Sequence, residues 1–89
     1  MAFTALFTPK SMNAAQFDEV TRRLEEAGAG SPEGRLHQIC YGSDDQLQVM
    51  GIWTSEEAFE KFGQMLMPIV QEIGIEVGKP TIAPVYSMK

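Results

Sequence analysis

The side chains able to do chemistry crowd into the stretch from Gly34 to Phe62, GRLHQICYGSDDQLQVMGIWTSEEAFEKF, which holds His37, Cys40, Tyr41, the Asp44-Asp45 pair and Trp53. His37 is the chain's one histidine, and so its one imidazole candidate for general-base work. As a general base it needs an orienting acid, and strand pairing sets no carboxylate beside it, so a structural or exposed role is expected. Cys40 is the one cysteine; it cannot form an intrachain disulfide, and with no basic neighbour to lower its pKa it reads as a small buried hydrophobe. Asp44 and Asp45 are paired carboxylates, but at the tip of a hairpin their short polar side chains serve the turn. Trp53 can stack on an aromatic substrate or fill the core beside Leu36, and its position between a strand and a helix favours the core. Six methionines, among them Met50, Met65 and Met67, suit either an adaptable pocket or ordinary packing. The candidate ligand-binding residues are therefore His37, Gln38, Tyr41, Trp53 and Met65, with no catalytic constellation among them.

The elements that position these residues follow from local pattern. With Asp44-Asp45 as the loop, Ser43 falls opposite Gln46, Cys40 opposite Val49, Gln38 opposite Gly51 and Leu36 opposite Trp53. One face then carries Leu36, Gln38, Cys40, Leu47, Val49 and Trp53, and the other His37, Ile39, Tyr41, Gln48, Met50 and Ile52. Neither face is cleanly polar, so both are expected to be covered. Residues 2–7, AFTALF, read as a first strand ended by Thr8-Pro9. Asn13 caps a first helix, with Gln16 reaching back and Met12 and Phe17 at the staple positions. Phe17, Val20, Leu24 and Ala27 form its apolar stripe, and Gly28 ends it. Thr54 or Ser55 caps a second helix whose stripe runs Phe59, Phe62, Leu66, Ile69, Ile73. Pro68 removes a backbone donor, which predicts a kink or break near Met67. A last strand spans Thr81 to Tyr86, and Pro84 within it marks an edge. The order β-α-β-β-α-β is the ferredoxin-like α+β arrangement over residues 1–89, a four-stranded antiparallel sheet with both helices on one face.

Composition bounds the function. A single domain of 89 residues buries roughly 60–65% of its unfolded surface, and one helical layer covers only one sheet face. At 44% hydrophobic, with charges of both signs, the chain reads as an ordinary globular protein with no membrane span. The start MAFTALFTPK lacks a basic n-region, so a cytoplasmic location is expected. One Cys and one His are too few for a structural zinc site. A net charge of −5 argues against a nucleic-acid partner. RNA-recognition domains share this strand order, but Leu47 to Trp53 has no Lys, no Arg and no Phe-x-Phe pattern.

The stretch GRLHQICYGSDDQLQVMGIWTSEEAFEKF, with Trp-Thr-Ser-Glu-Glu-Ala-Phe opening the second helix and LMPIVQEIGI after it, resembles the antibiotic-biosynthesis-monooxygenase-like superfamily of dimeric α/β-barrel proteins. The resemblance implies two ferredoxin-like subunits packed sheet against sheet. Members include cofactor-free oxygenases, haem-degrading enzymes and proteins with no assigned activity. The sequence departs from the oxygenase pattern at Val49, where relatives place a polar side chain, often Asn, four residues before the position of Trp53. It also lacks the helical His of the haem-degrading members anywhere from Glu56 to Ile73, so no haem and no other cofactor is expected.

Two functions stand out from this reading. One is a homodimer, joined through the open sheet face, that binds a small apolar or aromatic molecule between sheet and helices. The other is a cofactor-free monooxygenase acting on an aromatic substrate, its site shaped by Trp53, Tyr41 and His37.

Overall fold

In a computed structural model, which describes residues 2–89, the strands are β1 (Phe3–Phe7), β2 (Arg35–Tyr41), β3 (Gln48–Trp53) and β4 (Thr81–Pro84). They form one antiparallel sheet in the order β2-β3-β1-β4, with helices α1 (Ala14–Glu26) and α2 (Glu56–Ile73) in the connections. This is the expected βαββαβ arrangement. β1 lies in the middle, and Ala5, paired with Gly51 on one side and Ile82 on the other, is fully buried beneath the helices. β4 is an edge strand, as Pro84 requires, but it stops at that proline instead of reaching Tyr86.

The β2–β3 pairing follows the expected register from His37↔Ile52 to Tyr41↔Gln48, including Gln38↔Gly51 and Cys40↔Val49. The loop is longer than two residues: β3 begins at Gln48, and the turn closes through the Gln46 amide donating to the Ser43 carbonyl at 2.9 Å. Asp45 serves this loop and also the approach to α1, since its carbonyl accepts from the Met12 amide at 2.8 Å.

At the other end of β2 the expected pairing fails. Arg35, not Leu36, stands opposite Trp53, and the extra residue is taken up in a β-bulge between Arg35 and His37. Leu36 is left 47% exposed, and Arg35 turns to the helix-covered side. The cause lies just upstream. Gly34 has φ 90°, and its carbonyl accepts from both the Thr54 amide (2.8 Å) and the Thr54 hydroxyl (3.2 Å), which pins the strand start one residue out of the regular ladder.

Both helices begin at side-chain caps. The Asn13 carboxamide oxygen accepts from the Gln16 amide at 2.9 Å, and the Gln16 side chain accepts from the Asn13 amide at 2.9 Å, a complete capping box. Asn13→Ala is therefore expected to cost about 1 kcal/mol, read as a lower midpoint in thermal or urea denaturation. On the outer side of α1, Glu19 receives hydrogen bonds from Arg22 and Arg23, and these hold its carboxyl down at about 2. Arg22 also reaches Glu26. Ser55, not Thr54, caps α2, accepting from the Ala58 amide at 3.2 Å, because Thr54 is committed to Gly34.

Of the kink or break expected near Met67, the break does not occur: α2 runs unbroken to Ile73 and closes at Gly74 in the left-handed region, φ 92°. Pro68 and Gln64, whose carbonyl loses its helical donor, are both exposed, so water can satisfy that carbonyl. The buried Phe62, Leu66 and Val70 hold the helix on both sides of the proline.

The helices cover one sheet face. Phe3, Ala5 and Trp53 from the strands meet Val20 and Leu24 of α1 and Phe62, Leu66 and Val70 of α2. The opposite face, with His37, Ile39 and Tyr41 of β2 and Gln48, Met50 and Ile52 of β3, has no layer over it. Ile39 is 49% and Tyr41 44% exposed.

Candidate functional site

A cleft lies between the sheet and the helices on the β2 side. Its floor is Phe7 of β1, Val49 of β3 and Arg35 and Gln38 of β2. α1 supplies Phe17, Val20, Thr21 and Leu24, and α2 supplies Phe62, Leu66 and Val70. Pro9, Met12 and Val77 complete the lining; all three are buried, whereas Gln38 is exposed. The space within the cleft is about 60 Å³. Pockets that swallow a drug-sized ligand run to about 300–1,000 Å³, so this one accepts a slender group or part of a ring, with the remainder at the mouth.

The walls are apolar except for Arg35, Gln38, Thr21 and the Gly30 backbone. Arg35 is half-buried. Its guanidinium donates to the Gly30 carbonyl at 3.0 Å and lies 5.6 Å from the centre of the Phe62 ring, a cation–π arrangement. Burial pulls its pKa below the ordinary arginine value. Among the described residues it has no carboxylate within ion-pairing distance; the ion pairs are made by Arg22, Arg23 and Lys61.

The residues singled out from sequence are dispersed. Gln38 lines the cleft. His37 and Tyr41 lie on the uncovered sheet face, where the Tyr41 hydroxyl is 3.0 Å from the Gln48 carboxamide oxygen and His37 pairs with Ile52. Met65 borders a shallow groove on the far side of α2, beside Gly28, Pro32 and Lys61. Trp53 is 2% exposed, its ring centroid 5.2 Å from those of both Phe59 and Phe62, and it is not part of the cleft wall. Cys40 is half-buried, and burial together with the charge of Asp18 raises its pKa, which keeps it a thiol. Asp44 and Asp45 are exposed at the turn. Among the described residues no three His, Cys, Asp or Glu side chains cluster as a metal site, and no helix is long and apolar enough to cross a membrane.

Sequence reasoning missed Arg35 and Thr21. The hairpin register expected from sequence places no face for Arg35, and it is the bulge after it that sets it opposite Trp53 on the helix-covered side. The one available signal was Gly34 immediately before it, the residue type that bulges and kinks favour.

A four-stranded antiparallel sheet with two helices on one face, and an apolar cleft between the layers, defines a ferredoxin-like α+β subunit. No protein-family profile matches the chain, and no curated protein matches it. Among solved structures it is similar to SnoaB, a cofactor-independent oxygenase from Streptomyces nogalater, at 16% identity and TM-score 0.63, over 98% of this chain and 93% of that one. It is also similar to a candidate monooxygenase from Shewanella loihica PV-4, at 23% identity and TM-score 0.49, over 99% of each chain. The likeness to SnoaB shows a shared ferredoxin-like α+β fold.

Proposed function

We propose that this protein is a homodimer whose subunits each bind a small, largely apolar or aromatic molecule in the cleft between sheet and helices. The observation that carries the reading is the cleft itself: a half-open apolar space lined by core residues, with Arg35 and Gln38 among its few polar groups. Such a combination of apolar wall and few polar groups is the usual make-up of a ligand site. Pairing through the uncovered sheet face leaves this cleft untouched, because the two lie on opposite sides of the sheet.

The likeness to SnoaB brings oxygenase chemistry to this chain only as a second reading. The position four residues before Trp53, where that chemistry calls for a polar side chain, is Val49, which lines the cleft as an apolar wall. Binding without chemistry therefore accounts for more of the site.

The test uses a neutral probe with a thin apolar tail, p-butylbenzamide. Titrated into 15N-labelled protein, it is expected to shift the amide signals of Val20, Gly30, Gln38 and Val49 while leaving Asp44 and Asp45 at the hairpin tip in place. Shifts confined to the uncovered face, or none, would remove the cleft as the binding site.

A further inference from the structure

We infer that the cleft selects an amphipathic anion, a carboxylate or similar acid on an apolar tail, whose charge pairs with Arg35. This inference rests on the binding function proposed above and names the ligand class.

The chain carries 12 acidic residues against 7 basic ones, yet none of the described carboxylates reaches Arg35. A guanidinium has five N–H donors in a planar fork, and one protein acceptor, the Gly30 carbonyl, is supplied here. Half-burying a cation beside apolar walls is unfavourable unless something compensates it. The Phe62 ring and one carbonyl hold the guanidinium in place, no side-chain donor is both buried and unpartnered among the described residues, and its remaining N–H groups are thus open to a charge-assisted bond from a carboxylate in the cleft. The shape agrees with this. The buried lining, Pro9, Met12 and Val77 with Val20, Leu24 and Phe62, suits an alkyl or aryl tail. Gln38, two positions past the bulge on the same lining, adds an amide able to donate to a second carboxylate oxygen. The bulge that turns Arg35 inward is itself the kind of irregularity that re-aims a side chain at a site.

The test compares p-butylbenzoate with its neutral isostere p-butylbenzamide by the same amide shifts, on the full chain and on Arg35→Gln and Arg35→Lys. The acid is expected to bind about tenfold or more tightly than the amide to the wild type, the order of a charge-assisted hydrogen bond. That gap should vanish in Arg35→Gln and return in part in Arg35→Lys, which keeps the charge but not the fork. The amide's own shifts report that the variant cleft is folded; should Arg35→Gln not fold, the wild-type gap and Arg35→Lys decide. Equal binding of acid and amide, or a gap that survives Arg35→Gln, overturns the anion selectivity and leaves the binding cleft standing. Failure of both compounds to move the cleft amides overturns the two together.

Discussion

Trp53→Ala is expected to destabilise the protein by about 3–5 kcal/mol, the range for removing a large aromatic from a packed core. The indole is 2% exposed and meets Phe59 at 5.2 Å with an interplanar angle of 70° and Phe62 at 5.2 Å with one of 48°. Phe59 in turn meets Phe3 edge-on at 5.7 Å, so β1, β3 and α2 share one aromatic cluster. The neighbouring strand position is Gly51, where an added Cβ would stand 2.8 Å from the indole Nε1; the glycine makes room for the ring, and deleting the ring leaves a void nothing nearby fills. Stability of about 0.05–0.15 kcal/mol per residue gives a domain of this size roughly 4–13 kcal/mol in total. The variant should therefore be largely or wholly unfolded near body temperature, measured by far-ultraviolet circular dichroism in urea. Trp53→Phe separates packing from ligand contact: it should keep most of the stability and all of the p-butylbenzamide binding. A fully folded Trp53→Phe that no longer binds would place the indole in the ligand site after all.

Ile39→Asp is expected to convert a dimer into monomers that remain folded. Ile39 is already 49% exposed on the uncovered face, so a carboxylate there is hydrated in the single subunit and costs little. In a two-fold pairing of this face each new charge would be buried, or would meet its symmetry mate, at several kcal/mol per interface. The half-buried Met50 and Ile52 and the exposed Tyr41 surround it, an apolar patch of the sort that marks an interface. An interface of about 800 Å² per subunit keeps such a pair together at micromolar concentration. Light scattering should give twice the 9.9 kDa chain mass for the wild type and the single mass for Ile39→Asp. A wild type at the single mass would remove the dimer.

The fold was legible because each element carried its own punctuation. Asn13 and Gln16 announce α1, Ser55 and the acidic pair after it announce α2, and Pro84 marks β4 as an edge; these are local devices, and the structure contains all of them. The effect of Pro68 is less legible, because whether the helix stops there depends on whether the orphaned carbonyl faces water, and that is known only once the helix has been docked. The site was less legible for a related reason. Gln38 was assigned to the cleft side by alternation and is there. His37 and Tyr41 attracted attention by residue type, but their parity sends them to the other face. Arg35 escaped notice because parity is a running count along a strand, and one extra residue inverts everything upstream of it.

That inversion makes strand length, and not residue type, the control over what the cleft can hold. With β2 in an unbroken ladder, Leu36 would sit across from Trp53 and Arg35 would face away from the cleft, leaving an alkyl group where the guanidinium now is. The present arrangement depends on Gly34, whose φ of 90° and whose distance of 2.9 Å from a would-be Cβ to the Ala58 methyl leave no room for another side chain. A slip that set Leu36 opposite Trp53 would thus exchange a charged recess for a greasy one without changing the sequence of the strand. In proteins of this shape, ligand preference can change by a slip of one position in a strand that never loses its sequence.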